Sequence, residues 1–161
     1  MRFVACDEPR YMLQSSKRGI ALSEIIIGSD HGGFNLKANI IEHLKKLGYE
    51  VLDMGCYNTG SCDYPIIAKG VAEKVLETDG RGILICGTGI GVSIAANRYP
   101  GIRASHCTDT FTARMTRMHN DSNILCLGER ITGVGLALDI VDIWLNTDFE
   151  GGRHQKRIDM I

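Results

Sequence analysis

Cys86 opens the run Cys86-Gly87-Thr88-Gly89-Ile90-Gly91 and directly follows the apolar stretch Ile83-Leu84-Ile85. That stretch has the length and residue types of a buried strand, and residues 92–98 read as the start of a helix. A thiol therefore falls at the carboxyl end of a strand, beside a glycine-rich turn that opens a helix. Open α/β sheets place ligands there. Free backbone N–H groups and the helix dipole favour negative charge there as well. One placement thus serves both to lower a cysteine pKa and to hold a developing oxyanion. A cysteine that only fills space under a helix is the alternative reading of the same residues. The glycines at 87, 89 and 91 do not make a dinucleotide fingerprint, because Val92 stands where the third glycine belongs and the motif follows the third strand.

Three further groups could do chemistry. Asp30 and His31, in Ser29-Asp30-His31-Gly32-Gly33, end the first strand, where a carboxylate beside an imidazole grips a sugar hydroxyl or moves a proton. A capping Asp and a solvated His account for the segment equally well. His119-Asn120-Asp121 follows a helix and offers a general acid with an amide to orient substrate, or else a favourable helix-end charge and a turn. In Gly151-Gly152-Arg153-His154-Gln155-Lys156-Arg157, Arg153 and Arg157 are spaced i, i+4 and share a face if helical. Two guanidinium forks on one face suit a phosphate, against the plainer reading of a solvated basic tail. Arg130 is a further anion contact, and Tyr64 lines the first cleft if Asp63-Tyr64-Pro65 does more than cap a helix. His43 and His106 read as surface or strand-end histidines.

The elements that must hold these groups alternate. Strands are expected at 24–29, 50–54, 82–86, 103–106 and 123–127. Leu36, Ile40, Ile41, Leu44 and Leu47 repeat at helical spacing, and Gly48 ends that helix. Pro65 opens a helix with Ile66, Ile67, Val71, Val75 and Leu76 on one face. Asp109 caps a helix with Phe111, Met115 and Met118 inward, and a last long helix carries Leu136, Ile140, Val141 and Trp144. Trp144, Met115 and Met118 are expected to fill core. Strands that are apolar throughout, alternating with helices, predict a parallel sheet covered on both faces.

The 161 residues suit one domain with a real core. Residues 1–23 read as an extension, partly disordered, ahead of a single domain over 24–161. A net charge of −1 gives no basic surface for nucleic acid or membrane, and no apolar run approaches the roughly 20 residues of a spanning helix. The six cysteines are scattered, without a Cys-x-x-Cys pair or a secretory segment ahead of them. Reduced thiols in a cytoplasmic protein, and no zinc, are the expectation.

Asp30-His31-Gly32-Gly33, Asp63-Tyr64-Pro65, the Cys86 run, Ala95-Ala96-Asn97, His119-Asn120-Asp121 and Gly151-Gly152-Arg153-His154 stand in the order seen in type B ribose-5-phosphate isomerases, and the chain resembles that family from about residue 24 to its end. The resemblance implies a three-layer α/β/α sandwich on a five-stranded, Rossmann-like parallel sheet of order 2-1-3-5-4. It also implies a sugar-phosphate substrate in the pentose phosphate pathway, no metal or organic cofactor, and a homodimer, often paired into a tetramer. By position, Cys86 resembles the catalytic base, where some members use a glutamate elsewhere in the loop. His119 resembles the acid that opens the furanose ring. Asp30 and His31 would contact the sugar, with Tyr64 close by. Gly87, Thr88, Gly89, Ile90 and Gly91 would supply the oxyanion cradle, and Thr88 would help shuttle a proton. Asn120, Arg130, Arg153 and Arg157 would bind substrate, with His119, Asn120 and Arg130 reaching in from the partner. The extension at 1–23 departs from the pattern. An allose or galactose 6-phosphate isomerase keeps the same fold with another sugar, and a non-catalytic sugar-phosphate or nucleotide sensor is the rival of another class.

Overall fold

Ile25, Ile26 and Ile27 have no exposed face: all three are at most 1 % exposed. Side chains alternate across a strand, so a strand that is apolar at every position must be covered on both sides. The computed structural model, which describes residues 24–161, has this arrangement; the expected extension at 1–23 lies outside the described residues. Strands β1 (Ile25–Ser29), β2 (Val51–Asp53), β3 (Arg81–Cys86), β4 (Ala104–His106) and β5 (Ile124–Gly128) form one parallel sheet in the order β2-β1-β3-β5-β4. The connecting helices are α1 (Phe34–Lys46), α2 (Tyr64–Thr78), α3 (Ile90–Ala96), α4 (Thr110–Asn120) and α5 (Val134–Leu145), with a short α6 (Arg153–Ile158) at the end.

The alternation divides the core in two. Ile25, Ile27, Ile83, Ile85, Leu125 and Leu127 pack with residues of α1 and α5. Ile26, Leu84, Cys86, Ile124 and Cys126 pack with α2 and α3. Cys86 therefore points toward the α2/α3 face. Trp144 fills core as expected, fully buried, with its Nε1 donating to Ser122 Oγ at 2.8 Å. Asp109 caps α4, its Oδ1 accepting from Thr112 N at 2.7 Å. Asn97 ties the end of α3 to β4 by two bonds with the Ala104 backbone.

Some expected inner faces are corrected. Phe111 is 70 % exposed, and Met115 and Met118 are only half-buried; the buried stripe of α4 is Ala113, Thr116 and Arg117. Phe111, Met115 and Met118 share a helical stripe, but one rotated away from this chain's core. Arg117 takes the inner place because its guanidinium is satisfied there by Asp121 Oδ1 at 2.8 Å and Ser122 O at 2.6 Å. Ile66, Leu76 and Leu136 are exposed for the same reason of phase, while Ala68, Val71, Ala72 and Val75 carry the contact of α2. Asp63 stands at the N-cap of α2, yet its side chain makes no capping bond. No described helix is long and apolar enough to cross a membrane.

Candidate active site

The carboxyl ends of β1, β3 and β5 lie side by side, so the residues that follow them meet. After β1, Asp30 is 8 % exposed and its Oδ1 accepts from Gly32 N at 2.8 Å, closing the turn His31–Gly33. Asp30 N in turn donates to Ile85 O at 3.1 Å, fixing that turn to β3. His31 is exposed, and its Nδ1 accepts from Cys62 N at 3.3 Å. That bond leaves the ring proton on Nε2 in the neutral form. A Cβ on Gly32 would stand 3.2 Å from Gly87 N, a tight approach where the two turns touch.

After β3, Cys86 is 5 % exposed and its Sγ accepts from Gly89 N at 3.0 Å. An N–H aimed at sulfur is the partner an ionised thiol requires. Gly89 holds φ +80°, and a Cβ there would lie 2.6 Å from His106 Cδ2. The Gly89 N–H is therefore committed to the sulfur, and Ile90 N leans to Thr88 Oγ1 at 3.4 Å. Gly87 N and Thr88 N donate to no backbone oxygen among the described residues. Thr88 and Ile90 are exposed. The Tyr64 ring covers Gly91, with Cζ 3.0 Å from where a Cβ would stand.

After β5, Arg130 N donates to Gly87 O at 3.0 Å, and the guanidinium lies against Gly87, 3.4 Å from a would-be Cβ. The resemblance put Arg130 among the partner's residues; in this chain it borders its own Cys86 loop. The register explains this, since Cys86 and Gly128 are paired across β3 and β5.

His119, Asn120, Arg153 and Arg157 gather elsewhere. Helix α4 leaves the carboxyl end of β4 and must return before the parallel β5 begins. Eleven residues span about 16 Å, which carries His119 to the amino edge of the sheet. Arg103, just ahead of β4, marks that edge by donating from Nε to Asn120 O at 2.9 Å and Asp121 O at 3.0 Å. A cavity of about 380 Å³ is lined there by His119, Asn120, His154, Arg157, Ile158 and Ile161. The tail is helical over Arg153–Ile158, so Arg153 and Arg157 share a face. Within one chain, the described residues thus form two separate clusters at opposite edges of the sheet.

Sequence reasoning missed three features. Cys56 and Cys62 are neighbours beside His31, with Cys56 Sγ donating to Asn58 O at 3.3 Å: the Cys62 thiol foremost lowers the Cys56 pKa, while burial foremost pushes Cys62 up to about 11. Lys37 is buried and holds Asp53 Oδ1 at 2.7 Å and Cys56 O at 2.7 Å. Glu150 and His154 pack on His119, with the two imidazoles stacked at 4.2 Å. Only the His154 position carried a signal, through the motif in which it stands.

A doubly covered parallel sheet with acid–base groups at its strand ends defines an α/β enzyme of the open-sheet class. A sequence profile of the family described as Ribose/Galactose Isomerase matches residues 25–161. Ribose-5-phosphate isomerase B of Escherichia coli is 49 % identical over 142 residues, covering 87 % of this chain and 95 % of that one. The structure of Clostridium thermocellum ribose-5-phosphate isomerase B superposes with a TM-score of 0.84 at 58 % identity, covering 85 % of this chain and 93 % of that one. The Mycoplasma genitalium enzyme, solved with bound ribulose-5-phosphate, gives 0.82 at 45 % identity, covering 85 % and 92 %. The chain belongs to the ribose/galactose isomerase family, and its sheet order is the expected one.

Proposed function

We propose that this chain interconverts D-ribose 5-phosphate and D-ribulose 5-phosphate in a site shared by two copies. The observation that carries the reading is the Cys86 loop: a sulfur held by Gly89 N–H at 3.0 Å, with Asp30, Tyr64 and Arg130 around it. Likeness to a protein solved with ribulose-5-phosphate supplies the substrate class.

The aldose is mostly a closed ring and must open first. His119 protonates the ring oxygen, and Asp30 takes the anomeric proton. The Cys86 thiolate removes the proton from C2, leaving an enediolate. Free N–H groups of the 87–91 turn face that charge, each such donor contributing about 3 kcal/mol in the transition state. Thr88 passes the proton between O1 and O2, and reprotonation at C1 gives the ketose. Arg153 and Arg157 grip the unreacting phosphate, which positions C2 over sulfur. Cys86 is 5 % exposed, so a substrate carbon reaches it only when seated against the turn.

Since the two clusters lie at opposite edges of one chain, a second copy completes the site. Ile90 and Ile94, one turn apart on α3 beside the loop, are 51 % and 63 % exposed and offer apolar surface for it. The five described cysteines are free, in keeping with the cytoplasm.

Ketose formation from ribose 5-phosphate, followed without added metal, tests the reading; hexose 6-phosphates in the same assay separate the sugars. Cys86→Ala is expected to abolish nearly all turnover while phosphate-ligand affinity stays within about twofold. Equal loss of both would make Cys86 structural.

A further inference from the structure

His119 stands in a constructed environment. Its ring stacks on His154 with centroids 4.2 Å apart and planes 11° from parallel. His154 is 5 % exposed, although it sits between exposed Arg153 and Gln155. Glu150 Oε2 lies 3.9 Å from His119 Nε2 and 3.2 Å from His154 Nε2. Backbone bonds fix both neighbours: Glu150 N donates to Met118 O at 3.0 Å, and His154 N to Gly151 O at 3.0 Å. The same three side chains resemble a metal-ligand set. Near-parallel stacked rings, however, aim their in-plane lone pairs side by side and not at one point, and the guanidiniums of Arg153 and Arg157 add positive charge.

We propose that Glu150 and His154 are positioning residues for His119, fixing its ring plane and balancing its charge as it delivers the ring-opening proton. The proposal rests on the reading of His119 as that acid. Two charged imidazoles at this separation would repel, so one ring must stay neutral. His154 is suited to be that ring. Its Nε2 lies 3.2 Å from Glu150 Oε2, to which the neutral ring donates its one N–H. Burial first, then the charges of His119 and Arg153, lower its pKa, with Arg157 adding to the effect and Glu150 opposing it. Glu150 is then the counter-charge for protonated His119. Asn120 and Arg157 line the same cavity as that ring.

Ring opening separates from proton abstraction by choice of substrate. A ketopentose phosphorylated on O5 has no hydroxyl with which to close a five-membered ring. In heavy water the enzyme therefore exchanges the C1 hydrogen of ribulose 5-phosphate without needing the ring-opening acid. Glu150→Gln and His154→Ala are expected to lower kcat for ribose 5-phosphate about tenfold, a part of what a general acid supplies, with KM and C1 exchange within about twofold. His154→Phe keeps a flat ring on His119 and should recover most of that loss. His119→Asn should show the same pattern more deeply, and Cys86→Ala should lose exchange as well. The proposal is overturned if Glu150→Gln and His154→Ala leave aldose turnover within twofold, or if exchange falls in step with turnover. If His119→Asn itself loses exchange together with turnover, the reading of His119 as ring-opening acid falls, and this proposal with it.

Discussion

What donates to a sulfur decides what that sulfur can do. Cys86 receives Gly89 N–H at 3.0 Å at the mouth of a strand. Cys107 and Cys126 are buried in the same sheet region, and burial pushes both thiols up, Cys107 to about 11. The neighbouring Cys56 and Cys62 thiols shift in opposite directions: Cys62 foremost lowers the first, and burial foremost raises the second to about 11. Alkylation by iodoacetamide at pH 8 depends on the thiolate fraction and on access. Cys56 is therefore expected to label well ahead of Cys62, Cys107 and Cys126 in the native protein, as peptide mass spectrometry would read. Equal labelling of Cys56 and Cys62 would mean that they do not pair in solution.

At the scale of elements, the turn from β3 into α3 is tightly constrained. Gly89 has a left-handed backbone, and a Cβ there would come 2.6 Å from His106 Cδ2 and 2.9 Å from the Leu127 carbonyl carbon. The Leu127 carbonyl carbon belongs to the main chain of β5 and cannot turn aside as a side chain could. Gly89→Ala should destabilise by about 1–2 kcal/mol from the backbone alone. Because it also displaces the N–H that meets Cys86, activity should fall further than the lost melting temperature explains. An unaltered kcat in a folded Gly89→Ala protein would separate that N–H from the chemistry. Helix α4 shows a different constraint. Its Phe111, Met115 and Met118 stripe has helical period, yet Ala113, Thr116 and Arg117 meet the core. Period was readable there; phase was set by where Arg117 finds its partners.

For the whole molecule, the parallel sheet imposes a separation. Groups after β1, β3 and β5 collect at the carboxyl edge, and the group at the end of α4 is carried to the amino edge. A shared site predicts complementation. When inactive Cys86→Ala and His119→Asn proteins are mixed and their subunits exchanged, each hybrid dimer holds one intact site. Random pairing should restore about a quarter of wild-type activity. No recovery after proven exchange would put both groups in separate machinery.

Local residue types determined the strands, the helices and the turns that carry the acid–base groups, because alternation, helical spacing and glycine are short-range signals. Cys86, Asp30, Tyr64 and Arg130 were legible as candidates for that reason, and the specific order of their motifs gave the family. The tertiary structure alone decided that Arg130 borders its own Cys86 loop, that Gly89 is committed to the sulfur, and that Glu150 and His154 enclose His119. Those contacts depend on strand register, on the return path of α4 and on the place where the tail lands. They join residues far apart in the chain, and no short window of sequence contains them.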